Sequence, residues 1–204
     1  MAAHAVLLCV PDDEIPTAAA AVAGSARFVG HTSGATPLAA IEGVEAFSLH
    51  PLQTVTGPNT RFEGSGCAIA GSTPQALDVA RRLALDLGMR PFEVRDEQRA
   101  AYHAAASIAS NFLVTLEADA ERLATSAGIH GFDARTMLGP LVRTTVENWI
   151  EQGPERALTG PISRGDHATV AAQRQAVQKR CPELEPMFDA LVERTEALVG
   201  RSAA

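Results

Sequence analysis

One uninterrupted segment, from Asp96 to Gly128, limits the possible folds of this chain most strongly. Between these two residues there is neither proline nor glycine. Asp96 is a good helix N-cap and Gly128 a good helix stop, so the pattern predicts one helix roughly 46 Å long. Its first part, residues 100–116, contains no Asp, Glu, Lys or Arg. Such a run is typical of a helix packed inside a protein, and its polar side chains argue against a membrane span.

A polar stripe follows one face of this predicted helix. It consists of His103, Ser107, Asn111 and Thr115, which are four residues apart and therefore share a slowly turning face. Hydroxyls can bond back to the preceding turn, which gives Ser107 and Thr115 a structural explanation. The amide of Asn111 cannot be satisfied in that way, and histidine titrates near neutral pH. We therefore predict His103 and Asn111 as candidate catalytic residues, with Ser107 as a third candidate whose structural explanation stays open.

The composition excludes several classes of protein. The net charge is −7 and Lys179 is the only lysine, which argues against a nucleic-acid surface. The three cysteines, Cys9, Cys67 and Cys181, are far apart in the sequence and favour free thiols in a reducing compartment. The first residues do not have the pattern of a signal peptide. We therefore expect a cytoplasmic protein that binds neither nucleic acid nor a membrane.

Three apolar runs in the first half, each followed by a polar turn, predict strands of an α/β sheet. They are residues 5–10, 26–31 and 44–50, and the first reads as a buried parallel strand. In such sheets, ligands bind outside the carboxyl ends of the strands. The predicted binding edge consists of three turns, namely Val10, Pro11, Asp12 and Asp13; His31, Thr32, Ser33 and Gly34; and His50, Pro51, Leu52, Gln53 and Thr54.

The remaining sequence predicts two more strands and then helices. Residues 67–71 and 89–94 read as strands, and Pro91 places the second of them at an edge of the sheet. Beyond the long helix, every segment has a helical pattern. We therefore predict a doubly wound α/β domain over residues 1–95, followed by an all-α domain over residues 96–204 that is headed by the long helix.

Six motifs taken together resemble one family. They are VPDDEI, HTSGA, SLHPLQT, YHAAASIASNFLVTL, LVRTTVENW and LTGPISRGD. The chain resembles Rossmann-like proteins with a C-terminal helical domain of unknown function. These are related in fold to pyrroline-5-carboxylate reductase, β-hydroxyacid dehydrogenases and deazaflavin-dependent NADP reductases, within the 6-phosphogluconate dehydrogenase C-terminal-like superfamily. The resemblance implies NADP or NAD as cofactor, held at residues 10–12 and 31–34, and a homodimer joined through the helical domain.

The chain departs from this family in two ways. Family members open with a strand, a G-x-G-x-x-G turn and a helix, whereas this sequence contains no G-x-G-x-x-G. Its first strand corresponds to the family's fourth, so we expect a truncated Rossmann-like sheet that lacks a half-domain of about 60 residues. A truncated gene product, a start-site error and a natural short form all remain open. In addition, β-hydroxyacid dehydrogenases carry Lys and Asn four apart on the long helix, and the matching pair here is Ser107 and Asn111.

The first functional hypothesis is an NAD(P)-dependent oxidoreductase-like protein that acts on a small molecule. Hydride transfer requires a proton donor beside the carbonyl or imine, which here would be His103 or His50. Asn111 would orient the substrate oxygen. Gln53 would add a substrate contact, and Arg164 would bind a substrate carboxylate.

The second hypothesis is a non-catalytic binding or interaction protein that has lost dinucleotide binding. It follows from the absence of a phosphate-binding turn. A zinc hydrolase that uses His31, His50 and His103 has no supporting ligand spacing, so we predict no metal site. A serine hydrolase is disfavoured because there is no G-x-S-x-G motif.

Overall fold

The computed structural model of the protein describes residues 3–129 and 132–202. They form two compact units, Met1–Leu113 and Val114–Ala204. The division between them falls inside the segment predicted as one long helix. The predicted domain boundary between residues 95 and 96 is not tested by this division and stays a prediction.

The first unit is built on a five-stranded sheet. Its strands are β1 (Ala3–Leu8), β2 (Ala26–His31), β3 (Glu45–Leu52), β4 (Gly66–Gly71) and β5 (Arg90–Glu93), and they lie side by side in sequence order. The helices are α1 (Ile15–Ala21), α2 (Pro74–Asp86) and α3 (Arg99–Ala109), with short 3-10 turns at Asp12–Glu14, Leu38–Ala40 and Asp96–Gln98. The predicted α/β architecture is confirmed.

The sheet is mostly parallel but reverses direction once. β1, β2 and β3 are parallel, β4 runs antiparallel to β3, and β5 is parallel to β4. The reversal has a simple cause, because residues 53–65 join β3 to β4 without a crossover helix, and such a direct connection favours antiparallel neighbours. β4 and β5 therefore begin at the edge of the sheet where β3 ends.

Helices cover both faces of this sheet, as a doubly wound fold requires. Three alanines of α2 pack on one face, against a core that includes Phe28, Phe47, Leu49 and Ile69. Ile15 and Ala19 of α1 pack on the other face, against Leu8, Val29 and Ala46. Since side chains alternate along a strand, residues 31, 48 and 50 lie on the α1 face.

The two outer strands differ from each other in how well the sequence predicted them. β5 lies at an edge, as Pro91 indicated. β1 is parallel to β2 as expected, but it starts two residues earlier than predicted and is not fully buried. Leu7 is 36% exposed. In the described sheet β1 has a neighbour on one side, so its apolar residues are covered less than the sequence pattern suggested.

The predicted long helix is two helices. α3 ends at Ala109 and α4 spans Asn111–Ser126, while Ser110 between them has φ −122° and ψ −73°. The Ser110 hydroxyl lies 3.2 Å from the hydroxyl of Thr54, so the break coincides with a contact to the loop after β3. Gly128 adopts φ 101° and ends the segment as predicted.

Two further expectations for this segment are wrong. Asp96 is not an N-cap, because it lies within the 3-10 turn and its carboxylate accepts hydrogen bonds from Leu38 and Arg99. The uncharged run over residues 100–116 contains no fully buried side chain. Ile108 is 65% exposed and Phe112 is 56% exposed, so this run is apolar without being covered in the described chain.

The second unit is helical. Besides most of α4 it contains α5 (Phe132–Gln152), α6 (Pro154–Ala157), α7 (His167–Arg180) and α8 (Glu185–Ser202), with 3-10 turns at Ile162–Arg164 and Pro182–Leu184. Asp166 caps α7 by accepting a hydrogen bond from the Thr169 amide. A small core of Val177, Cys181 and Leu184 is packed against Leu123, Met187 and Phe188.

Candidate functional site

A buried arginine organises the carboxyl ends of β2 and β3. Arg99, the first residue of α3, is 2% exposed. Its Nε donates to the Asp96 carboxylate at 2.8 Å, one terminal nitrogen donates to the Ser33 carbonyl at 3.4 Å, and the other donates to the Ser48 hydroxyl. Since His31 and Ser48 are register partners on adjacent strands, these bonds fix α3 against both strand ends.

The turn after β2 is held by a single serine side chain. The Ser33 hydroxyl donates to Asp12 at 2.6 Å and accepts from the amides of Ala35 and Thr36 at 3.2 and 2.9 Å. Ser33 therefore links the turn after β1 to the turn after β2. Two segments of the predicted binding edge thus lie together, and the Ser33 hydroxyl is engaged within the protein.

His31 is fully buried and has a defined tautomer. Its Nδ1 accepts a hydrogen bond from the Ser33 amide at 3.2 Å, so the proton of the neutral ring is on Nε2. Among the described residues, this Nε2 has no hydrogen-bond partner. Burial, and then the positive charge of Arg99, lower the pKa of His31 to about 4, so the ring is neutral at pH 7.

A cavity of about 700 Å³ lies between the end of β3 and helix α3. Its lining comprises His50, Pro51, Leu52, Gln53, Thr54, Val55, Tyr102, His103, Ala105, Ala106, Ser107, Ala109, Ser110 and Asn111. All of these residues belong to the first unit. The lining offers imidazole, hydroxyl and amide groups and carries no carboxylate, lysine or arginine side chain, so it suits a polar ligand without strong charge.

His50 is held by contacts to two aromatic rings of α3. Its Nδ1 lies 2.6 Å from the Tyr102 hydroxyl, and its ring meets Tyr102 and His103 edge-on at centroid distances of 5.5 and 5.9 Å. A Cβ on Gly34 would lie 2.9 Å from His50 Nε2 and 2.7 Å from the His103 ring, so glycine is what allows this close approach. Burial, followed by the charges of His103 and Arg99, lowers the pKa of His50.

The structure brings most of the predicted site residues together. His50, Gln53, His103, Ser107 and Asn111 line the one cavity. The predicted cofactor contacts lie nearby in sequence order: the turn after β1 contains Val10, Pro11 and Asp12, His31 ends β2, and the turn after β2 contains Thr32, Ser33 and Gly34. The functional roles of all these residues stay predictions.

The two predicted substrate contacts, Gln53 and Arg164, belong to different units. The Gln53 amide nitrogen donates to the Arg61 carbonyl at 3.3 Å and to the Ser65 hydroxyl at 3.2 Å, so it holds the loop after β3. Arg164 ends the 3-10 turn of the second unit, and its role as a carboxylate ligand stays a prediction.

Sequence reasoning missed Arg99, Ser48 and Tyr102. For Arg99 and Tyr102 the helical spacing was a usable signal. Residues 102 and 103 follow residue 99 by three and four positions on one helix, so all three face the same side. Ser48 lies two residues before His50 on β3 and therefore shares its face. Neither signal identifies by itself which of these polar groups meet across the fold.

Two kinds of feature are not found among the described residues, namely a cluster of metal-ligating side chains and a helix suited to cross a membrane. Over residues 3–129 and 132–202, no three His, Cys, Asp or Glu side chains come together as metal ligands. In the same ranges, no helix is both long and apolar enough to cross a membrane.

Residues 65–195 match a protein family described as "Domain of unknown function (DUF2520)". This match covers more than half of the chain. The chain belongs to the DUF2520 family. It has no significant match among curated proteins.

Solved structures resemble this DUF2520 chain over nearly its whole length. Protein TM1727 from Thermotoga maritima is 24% identical with a TM-score of 0.87, and the match covers 98% of this chain and 81% of that one. BF3122 from Bacteroides fragilis, named a candidate NADP oxidoreductase, is 22% identical with a TM-score of 0.79, and the match covers 96% and 76%. At these identities, the likeness shows a shared Rossmann-like fold.

A more distant match carries a bound nucleotide. The pyrroline carboxylate reductase of Plasmodium falciparum, solved with NADP bound, is 7% identical with a TM-score of 0.61, and the match covers 96% of this chain and 77% of that one. The resemblance to the pyrroline-5-carboxylate reductase superfamily, inferred from the sequence motifs, is thereby confirmed at the level of the fold.

The low pKa of His31 predicts a loss of stability in acid. Its folded-state pKa of about 4 lies below the ordinary value of 6.5, so the unfolded state binds the proton first as the pH falls. The stabilisation from neutral His31 is therefore complete above pH 6.5 and disappears between pH 6.5 and pH 4. This change amounts to about 3 kcal/mol in the free energy of unfolding.

Urea unfolding across this pH range measures the effect. His31→Asn retains an acceptor for the Ser33 amide but does not titrate, so its unfolding free energy should fall less steeply with pH than that of the wild type. His167→Asn, at an exposed position, is the matched control and should keep the wild-type slope. Equal slopes for His31→Asn and the wild type would show that His31 does not titrate as described.

Proposed function

We propose that this chain is an NAD(P)-dependent oxidoreductase in which the cavity beside β3 receives a carbonyl or imine compound. The observation that carries the proposal is the cluster of His50, His103 and Asn111 around one cavity at a strand's carboxyl end. Ligands bind at this edge in doubly wound folds. The similarity in fold to reductases supports the same reading. The three cysteines are free thiols, which supports a cytoplasmic location.

The residues present fit one end of a nicotinamide dinucleotide better than the other. Imidazole, hydroxyl and amide groups around the cavity suit an uncharged nicotinamide ring and its carboxamide. The pyrophosphate does not fit the start of α1, because the preceding turn is Asp12–Asp13–Glu14 and these carboxylates repel phosphate. When bound, the reduced nicotinamide supplies a hydride.

The chain's own residues would then bind and orient the substrate. His50 is neutral at pH 7 and lies at the end of β3, where it can donate a hydrogen bond to a carbonyl oxygen or imine nitrogen. Asn111 at the start of α4 orients that acceptor through its amide. His103, edge-on to His50, is the second candidate donor.

A second candidate function is ligand or partner binding without dinucleotide chemistry. The acidic turn before α1 favours it, as does the absence of G-x-G-x-x-G from the sequence. In this case the cavity would bind a neutral polar molecule, and no affinity for nicotinamide nucleotides would be found.

Calorimetric titration with NADPH and NADH distinguishes the two functions. The oxidoreductase proposal predicts a dissociation constant in the micromolar range. Gly34→Ala should weaken binding at least about tenfold, because the added Cβ forces the His50 and His103 rings to move. Gly57→Ala is the matched control, since a Cβ at Gly57 meets open space. Absence of binding by the folded wild type would reject the first function in favour of the second.

We further propose that a second copy of the chain covers helix α5. Among the side chains of α5 that the structure describes, Ala134 alone is fully buried. Its large apolar residues are more than half exposed, namely Met137, Leu141, Trp149 and Ile150. Apolar groups on several sides of one helix are typical of a helix buried in an assembly. The family resemblance supports a homodimer joined through this helical domain.

Sedimentation analysis of two leucine variants tests the homodimer. Leu141→Glu places a carboxylate on α5 and should raise the dimer dissociation constant at least about tenfold, because burying an unpaired charge is costly. Leu85→Glu makes the same change at an exposed leucine of α2 in the first unit and should leave the dimer intact. A monomeric wild type, or equal effects of both variants, would contradict this proposal.

A further inference from the structure

The contact between His50 and Tyr102 links β3 to α3, and its geometry indicates which of the two groups donates the hydrogen bond. The Tyr102 hydroxyl and His50 Nδ1 are 2.6 Å apart. Hydrogen bonds from N–H groups to oxygen are mostly about 2.7–3.2 Å long, so 2.6 Å is short for an imidazole N–H donor. The distance therefore favours the phenol as donor and the ring nitrogen as acceptor.

The acid–base properties of the two groups lead to the same assignment. A phenol is a stronger acid than a neutral imidazole N–H, and a ring nitrogen is a stronger base than a phenol oxygen. Burial raises the pKa of Tyr102 to about 12, so the phenol keeps its proton at neutral pH. Burial also lowers the pKa of His50, so the neutral imidazole has one nitrogen available to accept that hydrogen bond.

The rest of the surroundings hold the two rings in this arrangement. Tyr102 packs edge-on against Phe92 of β5 at a centroid distance of 5.9 Å, and His50 packs edge-on against His103. With Nδ1 occupied, Nε2 is the remaining ring nitrogen of His50, and it lies beside Gly34. A neutral imidazole that accepts at Nδ1 carries its proton at Nε2.

We propose that Tyr102 is a positioning residue that holds His50 in the Nε2–H tautomer, so that the carboxyl end of β3 presents a hydrogen-bond donor beside Gly34. The functional role of this donor rests on the proposed function, in which the ligand offers a carbonyl oxygen or an imine nitrogen as acceptor. It adds a ligand preference, since a compound with only donor groups at this position would leave the N–H unpaired in a half-buried site.

Long-range proton–nitrogen NMR of the 15N-labelled full chain reads the tautomer directly. Protonated and bare ring nitrogens have widely separated 15N shifts, and the spectrum of His50→Gln assigns the His50 signals by their loss. The wild type should show a bare Nδ1 and a protonated Nε2. Tyr102→Phe removes the hydroxyl and keeps the ring against Phe92, so its His50 signals should move towards a mixture of both tautomers.

The pKa of His50, followed in the same spectra, gives a second readout. The phenol bond stabilises the neutral ring, so Tyr102→Phe should raise the pKa of His50 by up to about one unit. His103 and Arg99 on α3 and Asp12 after β1 also act on this ring, but they are the same in both proteins. Their influence therefore cancels in the comparison.

Ser110→Ala is the matched control, because it removes a hydroxyl from the same cavity, where that group contacts Thr54. Its His50 tautomer and pKa should equal those of the wild type. A wild type protonated at Nδ1, or a Tyr102→Phe protein with unchanged tautomer and pKa, would overturn the inference. The measurement needs no nucleotide, so a failed NADPH titration would reject the proposed oxidoreductase function without affecting this result.

Discussion

The first unit depends on one buried cation. Removing a guanidinium from water is costly unless its donors are paired, and Arg99 is paired with a carboxylate, a carbonyl and a hydroxyl that come from three different segments. These bonds require α3 to begin where β2 and β3 end. The position of the cavity, and of the residues on α3 that line it, follows from this requirement.

The same cation contributes to the electrostatics of the site. Together with burial, its charge disfavours protonation of His31 and His50, so the strand ends carry neutral imidazoles at pH 7. Neutral histidines beside a fixed positive charge can donate hydrogen bonds without adding further charge. In the proposed function, these donors would hydrogen-bond the acceptor atom of a carbonyl or imine ligand.

Local sequence patterns predicted the strands and the edge where the cavity lies. Apolar runs followed by polar turns located β2 and β3 within two residues, and Pro91 indicated an edge strand correctly. The break at Ser110 was not predictable, because it coincides with a contact to Thr54, far away in the sequence. Arg99 was missed for a similar reason, since an arginine at a helix start reads as an exposed residue until the strands that bury it are known.

Burial was predicted least well. The uncharged residues 100–116 indicated a covered helix, yet Ile108 and Phe112 are largely exposed in the described chain. A hydrophobic pattern favours a covered surface, but it does not say which surface covers it. The exposed apolar groups of α5 have the same explanation if a second copy packs there.

Amide hydrogen exchange of Arg99→Met, beside the exposed control Arg82→Met, tests the role of the buried cation most directly. We predict that residues 31–36 and α3 lose protection in Arg99→Met, while α2 and β4 keep wild-type protection because Ala76, Ala80 and Ile69 form a separate core. Arg82→Met should match the wild type throughout. Unchanged protection of α3 and residues 31–36 in Arg99→Met would contradict the claim that this arginine assembles the site.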